Sequence, residues 1–246
     1  MNAHPLVLFD WLDLTAFSYM LLVWASYAYY AKRRAKRGDK QSLSHSMRSH
    51  RVNWMKQMLR REVRVTDASL LASQERVVGF FSSATLLLLA AVFTAISSSE
   101  QIAEITVDLP LSVIQSTAQI QTKFILIAVL LIYAFFQITW SLRQYGFVAV
   151  LIGAAHTPAD VSSEAERDSY ANHVASLMDA AGHDNNAGLR AYYFCLAMVF
   201  WLLNPYAYIA ATTLIVVVLA RREFKSKTVK ILEGAVQESI IQVRIP

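Results

Sequence analysis

The stretch WLLNPYAYIA (residues 201–210) lies inside a run, residues 191–220, that carries no charged side chain. It reads either as one long helix kinked at Pro205 or as two short helices that turn back at Asn204-Pro205. A single helix of that length measures about 45 Å, against a hydrocarbon core of about 30 Å. Tilt alone would have to approach about 50°, beyond the usual range of about 0–40°. One crossing would also carry Arg221, Arg222, Lys225, Lys227 and Lys230 to the outer side of a membrane. Asn-Pro favours a turn, so the hairpin is the preferred reading. Its short arms gain length if Arg190 and Arg222 snorkel to the interface.

The rest of the chain repeats the pattern. Of 246 residues 55% are hydrophobic and 17% charged, and the mean hydropathy is +0.36. Water-soluble domains hold about 45–50% apolar and about 25% charged residues. Residues 5–30 (broken by Asp10 and Asp13), 77–99 and 124–142 are further runs nearly free of charge. Runs of about 18 apolar residues or more read as membrane spans. The expected fold is all-α, a polytopic helical membrane protein with four or five membrane helices and additional cytoplasmic amphipathic helices. The spans fall at residues 5–30, 76–98, 123–143, 188–203 and 206–222, within a single membrane domain covering the chain. Residues 31–75 and 153–187 are cytoplasmic segments, and residues 98–122 an outer loop. The N-terminal run has no Lys or Arg ahead of it and so lacks the basic start of a signal peptide. It is kept as a span.

Charge placement gives the orientation. The net charge is +5, yet twelve of the 23 Lys and Arg lie in residues 31–75 and six follow residue 220. Residues 98–122 have none and carry Glu100, Glu104 and Asp108. This is the positive-inside pattern. It places the N-terminus outside and the C-terminus on the cytoplasmic side of the membrane. Nucleic acid is not an expected partner, because phosphate neutralisation needs an exposed basic face rather than a juxtamembrane one.

Within 31–75 the segment RGDKQS (residues 37–42) breaks the helix, and Thr66 or Asp67 offers a cap for the next one. Between them Met47, Trp54, Met55 and Met58 recur near helical spacing, with Arg51, Lys56, Arg60, Arg61 and Arg64 on the other surface. This reads as a basic amphipathic helix lying on anionic lipid; packing against the protein's own cytoplasmic helices is the alternative. In the second cytoplasmic segment, Ser163-x-x-Glu166 is a capping-box pattern. Ala165, Ala171, Val174, Leu177, Met178 and Ala181 then make an apolar stripe, and Gly182 is a plausible stop.

Two polar groupings are candidate sites. Asp10 and Asp13, at i and i+3, share a helix face near the outer interface; they either complement the helix dipole or form an acidic mouth that attracts cations. Glu75, Arg76, Arg143, Gln144, Tyr145 and Arg190 fall near the inner interface, where ionisable groups pair or face a cavity. Glu75–Arg143 is the expected structural ion pair, and a solute site on Arg143 the alternative. The histidines lack metal-ligand spacing: His45 and His50 are five apart, and His156, His173 and His183 have no companion motif. No phosphate loop or hydrolase motif is present. Neither a cofactor, a metal nor an enzymatic reaction is expected. Cys195 is the one cysteine, so no internal disulfide can form.

Three stretches resemble the bacterial branch of the domain-of-unknown-function family 599. They are VVGFFSSATLLLLAAV (residues 77–92), AFFQITWSLRQYGFVAVLIGAAH (134–156) and GLRAYYFCLAMVFWLLNPYAYIAATTLIVVVLARREF (188–224). NWMKQMLRREVRVTDASLLAS (53–73) is similar to the segment that precedes the second span. The resemblance covers roughly residues 45–225, with WSLRQY (140–145) and GLRAYY (188–193) its most specific parts. It implies a helical membrane fold and brings no activity or ligand. Its signature polar positions fall on Arg143, Gln144, Tyr145 and Arg190. The expected function is an oligomeric channel or transporter-like protein, a homo-oligomer in contact with anionic lipid. The competing reading is a non-transporting scaffold that binds lipid or a partner through its basic cytoplasmic helices. Ser82, Ser83, Thr85 and Thr94 of the second span could line a pathway, or simply let helices approach closely.

Overall fold

A computed structural model describes residues 9–36, 43–158, 163–224, 226–228, 231, 232 and 234. The start of the first expected span (residues 5–8) and the RGDKQS breaker lie outside the described residues. Those described form seven α-helices and no strand: α1 (Trp11–Lys36), α2 (Leu43–Leu59), α3 (Val65–Ser97), α4 (Ser99–Val107), α5 (Thr117–Ala154), α6 (Glu164–Trp201) and α7 (Pro205–Phe224).

The all-α class stands. Two helices, α3 and α5, are long and apolar enough to cross a membrane by length and composition. Only 17% of the most apolar α3 window and 39% of that in α5 are buried. The core helix of a water-soluble fold would instead be mostly enclosed. The other expected spans do not meet the same standard. Tyr, Trp and Asp dilute α1, Arg221 and Arg222 close α7, and α6 begins with a charged half.

Several boundaries move. The expected stop at Gly182 does not occur, and α6 runs unbroken for 38 residues. Its glycine serves packing: a Cβ there would lie 2.9 Å from Arg51 Nη2. Residues 98–122, the expected outer loop, contain a short helix, α4. At the start of α5, Ser116 and Gln119 form a reciprocal capping box. The Gln119 amide carbonyl accepts from Ser116 N at 2.8 Å, and Ser116 Oγ accepts from Gln119 N at 3.3 Å. Ser163 caps α6 as expected, its Oγ accepting from Glu166 N.

The chain divides into two compact units. Unit 1 comprises Met1–Tyr30, Ser83–Phe136 and Gly188–Leu219; unit 2 comprises Ala31–Ser82, Gln137–Ala187 and Ala220–Pro246. In unit 1 the contacts fix helix directions. Along α1, Asp13 meets Trp201, Trp24 meets Phe194 and Tyr27 meets Arg190, so α1 and α6 are antiparallel. Asp13 and Trp24 meet Lys123 and Tyr133, so α5 runs with α1. Tyr208 stacks on Trp201, which Asp13 holds, and Tyr19 hydrogen-bonds Thr213, so α7 also runs with α1 and against α6. The last apolar run is therefore a helical hairpin. Outward faces carry Leu87, Phe93, Val129, Phe136, Val199 and Leu214, all more than 50% exposed.

The hairpin turn is built by Asn204-Pro205. Asn204 Oδ1 accepts from Ala207 N at 2.6 Å, and Pro205, which has no N–H to satisfy, occupies the first helical position. Asn204 Nδ2 also donates to Leu111 O at 2.6 Å. Leu111 itself is left-handed, with φ 69°, a conformation that costs a non-glycine residue of order 1–3 kcal/mol. Asn204→Ala removes the cap and one tie to residue 111, and should destabilise by about 0.5–2 kcal/mol. Thermal unfolding in detergent measures this; an unchanged midpoint would mean the cap does not hold the turn.

Candidate functional site: a buried charge pair at the helix turn of unit 1

An α-helix leaves its last four carbonyls without intrahelical partners. At the end of α6, Val199 O and Phe200 O accept from the backbone N–H groups of residues 202–204, and unit 1 supplies partners for Trp201 O and for the two turn carbonyls that follow the helix. Trp201 O accepts from Lys123 Nζ at 3.1 Å, Leu202 O from Gln115 Nε2 at 2.7 Å, and Leu203 O from Val113 N at 3.0 Å. An ammonium at a helix C-terminus also meets the negative end of the helix dipole. Lys123 is 0% exposed. Its Nζ reaches Gln115 Oε1 at 2.6 Å and Asp13 Oδ1 at 3.1 Å, and lies 5.0 Å from the centroid of the Trp201 ring. Three oxygens thus face a group with three N–H donors, and an aromatic face closes a fourth side.

Trp201 organises the opposite wall. Its Nε1 donates to Asp13 Oδ1 at 2.6 Å. Its ring stacks on Phe9, Phe17 and Tyr208, with centroids 5.3, 5.5 and 4.9 Å away. Asp13 is 5% exposed and Trp201 0%. Deeper along α7 the Tyr208 hydroxyl and Thr212 Oγ1 are buried without a hydrogen-bond partner. The end of the bundle is closed by charge and aromatic packing together.

Asp10 and Asp13, expected to share one face, have different surroundings. Asp10 is exposed and accepts from Trp11 N, whereas Asp13 turns inward to Lys123 and Trp201. The sequence could have shown part of this. Lys123 is the one cation between Arg76 and Arg143, and a lone charge beginning an apolar run calls for a counter-ion. Gln115 and Trp201 carried no such signal.

The inner-interface residues divide between the units. In unit 1, Arg190 lies over the Tyr27 ring at 5.3 Å. In unit 2, Arg143 is exposed over Phe147, Gln144 Nε2 donates to Asp184 Oδ2 at 2.5 Å, and Tyr145 is buried. No ion pair joins Glu75 and Arg143 among the described residues; Glu75 is half-buried and Arg76 exposed. The nearer acceptor for this stretch of α5 was Asp184, an acidic residue on α6.

The basic helix is likewise redirected. α2 and the turn after it set their cations on acceptors of unit 2 rather than outward to lipid. Arg51 and Arg48 both reach Asp179 (2.6 and 2.7 Å), Lys56 reaches Asp168 (2.7 Å) and Arg60 reaches Glu164 (2.6 Å). Arg61 pairs with Asp67 at 2.7 Å, and Arg64 donates to the carbonyls of Ile152, Ala155 and His156. Asp67, an expected helix cap, is instead fully buried and also accepts from Trp54 Nε1 at 2.7 Å. The acidic residues of α6 recur at 164, 168 and 179, spacing that offered a partner face. Tyr170 donates to Leu151 O, and burial raises its phenol above the ordinary value despite Arg64 nearby. Among the described residues, unit 2 holds cavities between its helices. One, of about 340 Å³, is lined by Met47, Arg51, Trp54, Gln74, Tyr145 and Met178 among others; another, of about 210 Å³, includes His156, Glu166 and His173. No cluster of three or more His, Cys, Asp or Glu suited to a metal occurs among the described residues.

Removing one partner of a buried ion pair leaves the other charge uncompensated, typically costing about 3–5 kcal/mol. Asp13→Asn and Lys123→Met should each lower the unfolding midpoint in detergent, and the double variant should lose less than the two losses added. A double-mutant cycle measures this; additive losses would mean that the two side chains do not act as a pair.

No curated protein and no solved structure matches the chain. A family model described as "Protein of unknown function, DUF599" matches residues 15–228, nearly the whole of the seven-helix arrangement. The chain, with its charge pair, hairpin and basic–acidic helix packing, belongs to the family of proteins of unknown function DUF599.

Proposed function

We propose that this chain is a five-span protein of the bacterial inner membrane, with its N-terminus outside and its C-terminus cytoplasmic, that acts as an oligomeric, transporter-like protein. The observation that carries the proposal is the buried Asp13–Lys123 pair inside a bundle whose outward faces are apolar. Ionisable groups enclosed within membrane-spanning helices are expensive, usually pair, and often mark solute or ion pathways. An inward-facing Asp13 does not suit a permanently open channel with an acidic ring. A closed end tied by a charge pair suits a pathway that opens by rearrangement. The helical hairpin supports the fourth and fifth spans, since it returns Arg221 and Arg222 to the side of the other cations. The scaffold reading has less support. It has the basic helices bind anionic lipid or a partner, and Arg51, Lys56, Arg60 and Arg64 already have acceptors in unit 2. We assign no enzymatic reaction.

The test uses a Cys195→Ser background carrying Tyr206→Cys or Lys227→Cys, and an impermeant thiol reagent on intact cells. Residue 206 should label from outside and residue 227 only after lysis. External labelling at 227 would overturn the five-span orientation. In liposomes the protein should pass small monovalent cations, and Asp13→Asn should change the rate several-fold. A parent protein that passes none of them leaves the scaffold as the better reading.

A further inference from the structure

The groups around Lys123 Nζ have a composition that the pairing with Asp13 alone does not require. They are a carboxylate oxygen, a side-chain amide oxygen, a backbone carbonyl at a helix C-terminus and the face of an indole. The three oxygens come from α1, from the segment before α5 and from the end of α6. At 2.6–3.1 Å they match the three N–H donors of a primary ammonium. The indole supplies the cation–π wall typical of ammonium recognition. Arg could not substitute, because its planar fork does not place three donors on converging oxygens. A quaternary ammonium would present no N–H to any of them.

We propose that the closed end of unit 1 is a binding site for a primary ammonium, and that Lys123 is its tethered occupant. A small alkylamine in its protonated form would compete with the lysine head group for Asp13, Gln115 Oε1 and Trp201 O. Displacement would free Lys123 and with it the link between α1, α5 and the α6–α7 turn. The inference names the solute class for the transporter-like reading and rests on it for that step; the recognition chemistry itself is independent of transport.

The first arm of the test tries the recognition. Lys123→Ala deletes the atoms that propylammonium would restore, and its unfolding midpoint in detergent is measured with propylammonium, tetramethylammonium or sodium chloride at equal concentration. Propylammonium should recover at least half of the midpoint lost on substitution, and the other two cations little. Equal recovery by all three, or by none, would overturn the site. If the alanine variant cannot be purified, Lys123→Leu with methylammonium is read in the same way, because leucine reaches Cδ, with one added branch methyl, and leaves out the last carbon and nitrogen. The second arm tries the function: unsubstituted protein in liposomes should take up radiolabelled methylammonium and be slowed by propylammonium. Rescue without uptake keeps the ammonium site and removes the transporter reading. Uptake without rescue removes Lys123 as the tethered occupant.

Discussion

A helix that ends inside an apolar bundle must find partners for its last carbonyls; α6 meets this demand at Trp201 O with Lys123, and Gln115 and the backbone of Val113 take the two turn carbonyls that follow. Water cannot serve at Trp201, which is fully buried, and an unmade hydrogen bond at a buried carbonyl costs about 1–3 kcal/mol. Bringing an ammonium to this position creates a second demand, a counter-ion, which α1 supplies as Asp13. Asp13 then also accepts from the Trp201 indole, which holds the ring flat against Phe9, Phe17 and Tyr208. The turn that follows is capped by Asn204, so α7 can return along α6. The chain of requirements runs from one set of orphan carbonyls to the geometry of four helices.

Unit 2 follows another rule, neutralisation by alternating charge. The N-terminal half of α6 carries carboxylates, and α2 carries the matching cations. These ion pairs are part-exposed and individually weak; those on the surface contribute roughly 0–1 kcal/mol each. The larger contribution comes from the apolar contacts beneath them, where Met55, Met58, Leu59, Val174 and Met178 are at most 2% exposed. Asp67 differs. It is wholly buried, holds Trp54 and Arg61 on one oxygen, and leaves the other without a partner. A positively charged helix in sequence thus becomes a largely neutralised one in the fold.

Much of the helical architecture was legible because hydropathy and turn chemistry are local. The hairpin at Asn204-Pro205, the extent of α3 and the Ser163 cap all follow from residues within a turn or two of one another. The Ser116-x-x-Gln119 box was equally readable and marks the start of α5. What could not be read was pairing across distant segments. Asp13 lies 110 positions before Lys123, so nothing local distinguishes a buried carboxylate from one at a water boundary. Arg51 likewise meets Asp179 128 positions away. Gly182 misled for a related reason: a glycine in a helix signals a stop by propensity, but here it clears space for the Arg51 guanidinium.

The burial of Lys123 is the claim from which the rest descends, and lysine acylation tests it directly. Membranes holding the folded protein are treated with a membrane-permeant acylating reagent, and each lysine is quantified by mass spectrometry before and after denaturation. Lys227, which is exposed, should react in both states. Lys123 should remain unmodified until the protein unfolds. Acylation of Lys123 in the folded protein at the rate of Lys227 would contradict a buried charge pair, and with it the closed end of unit 1.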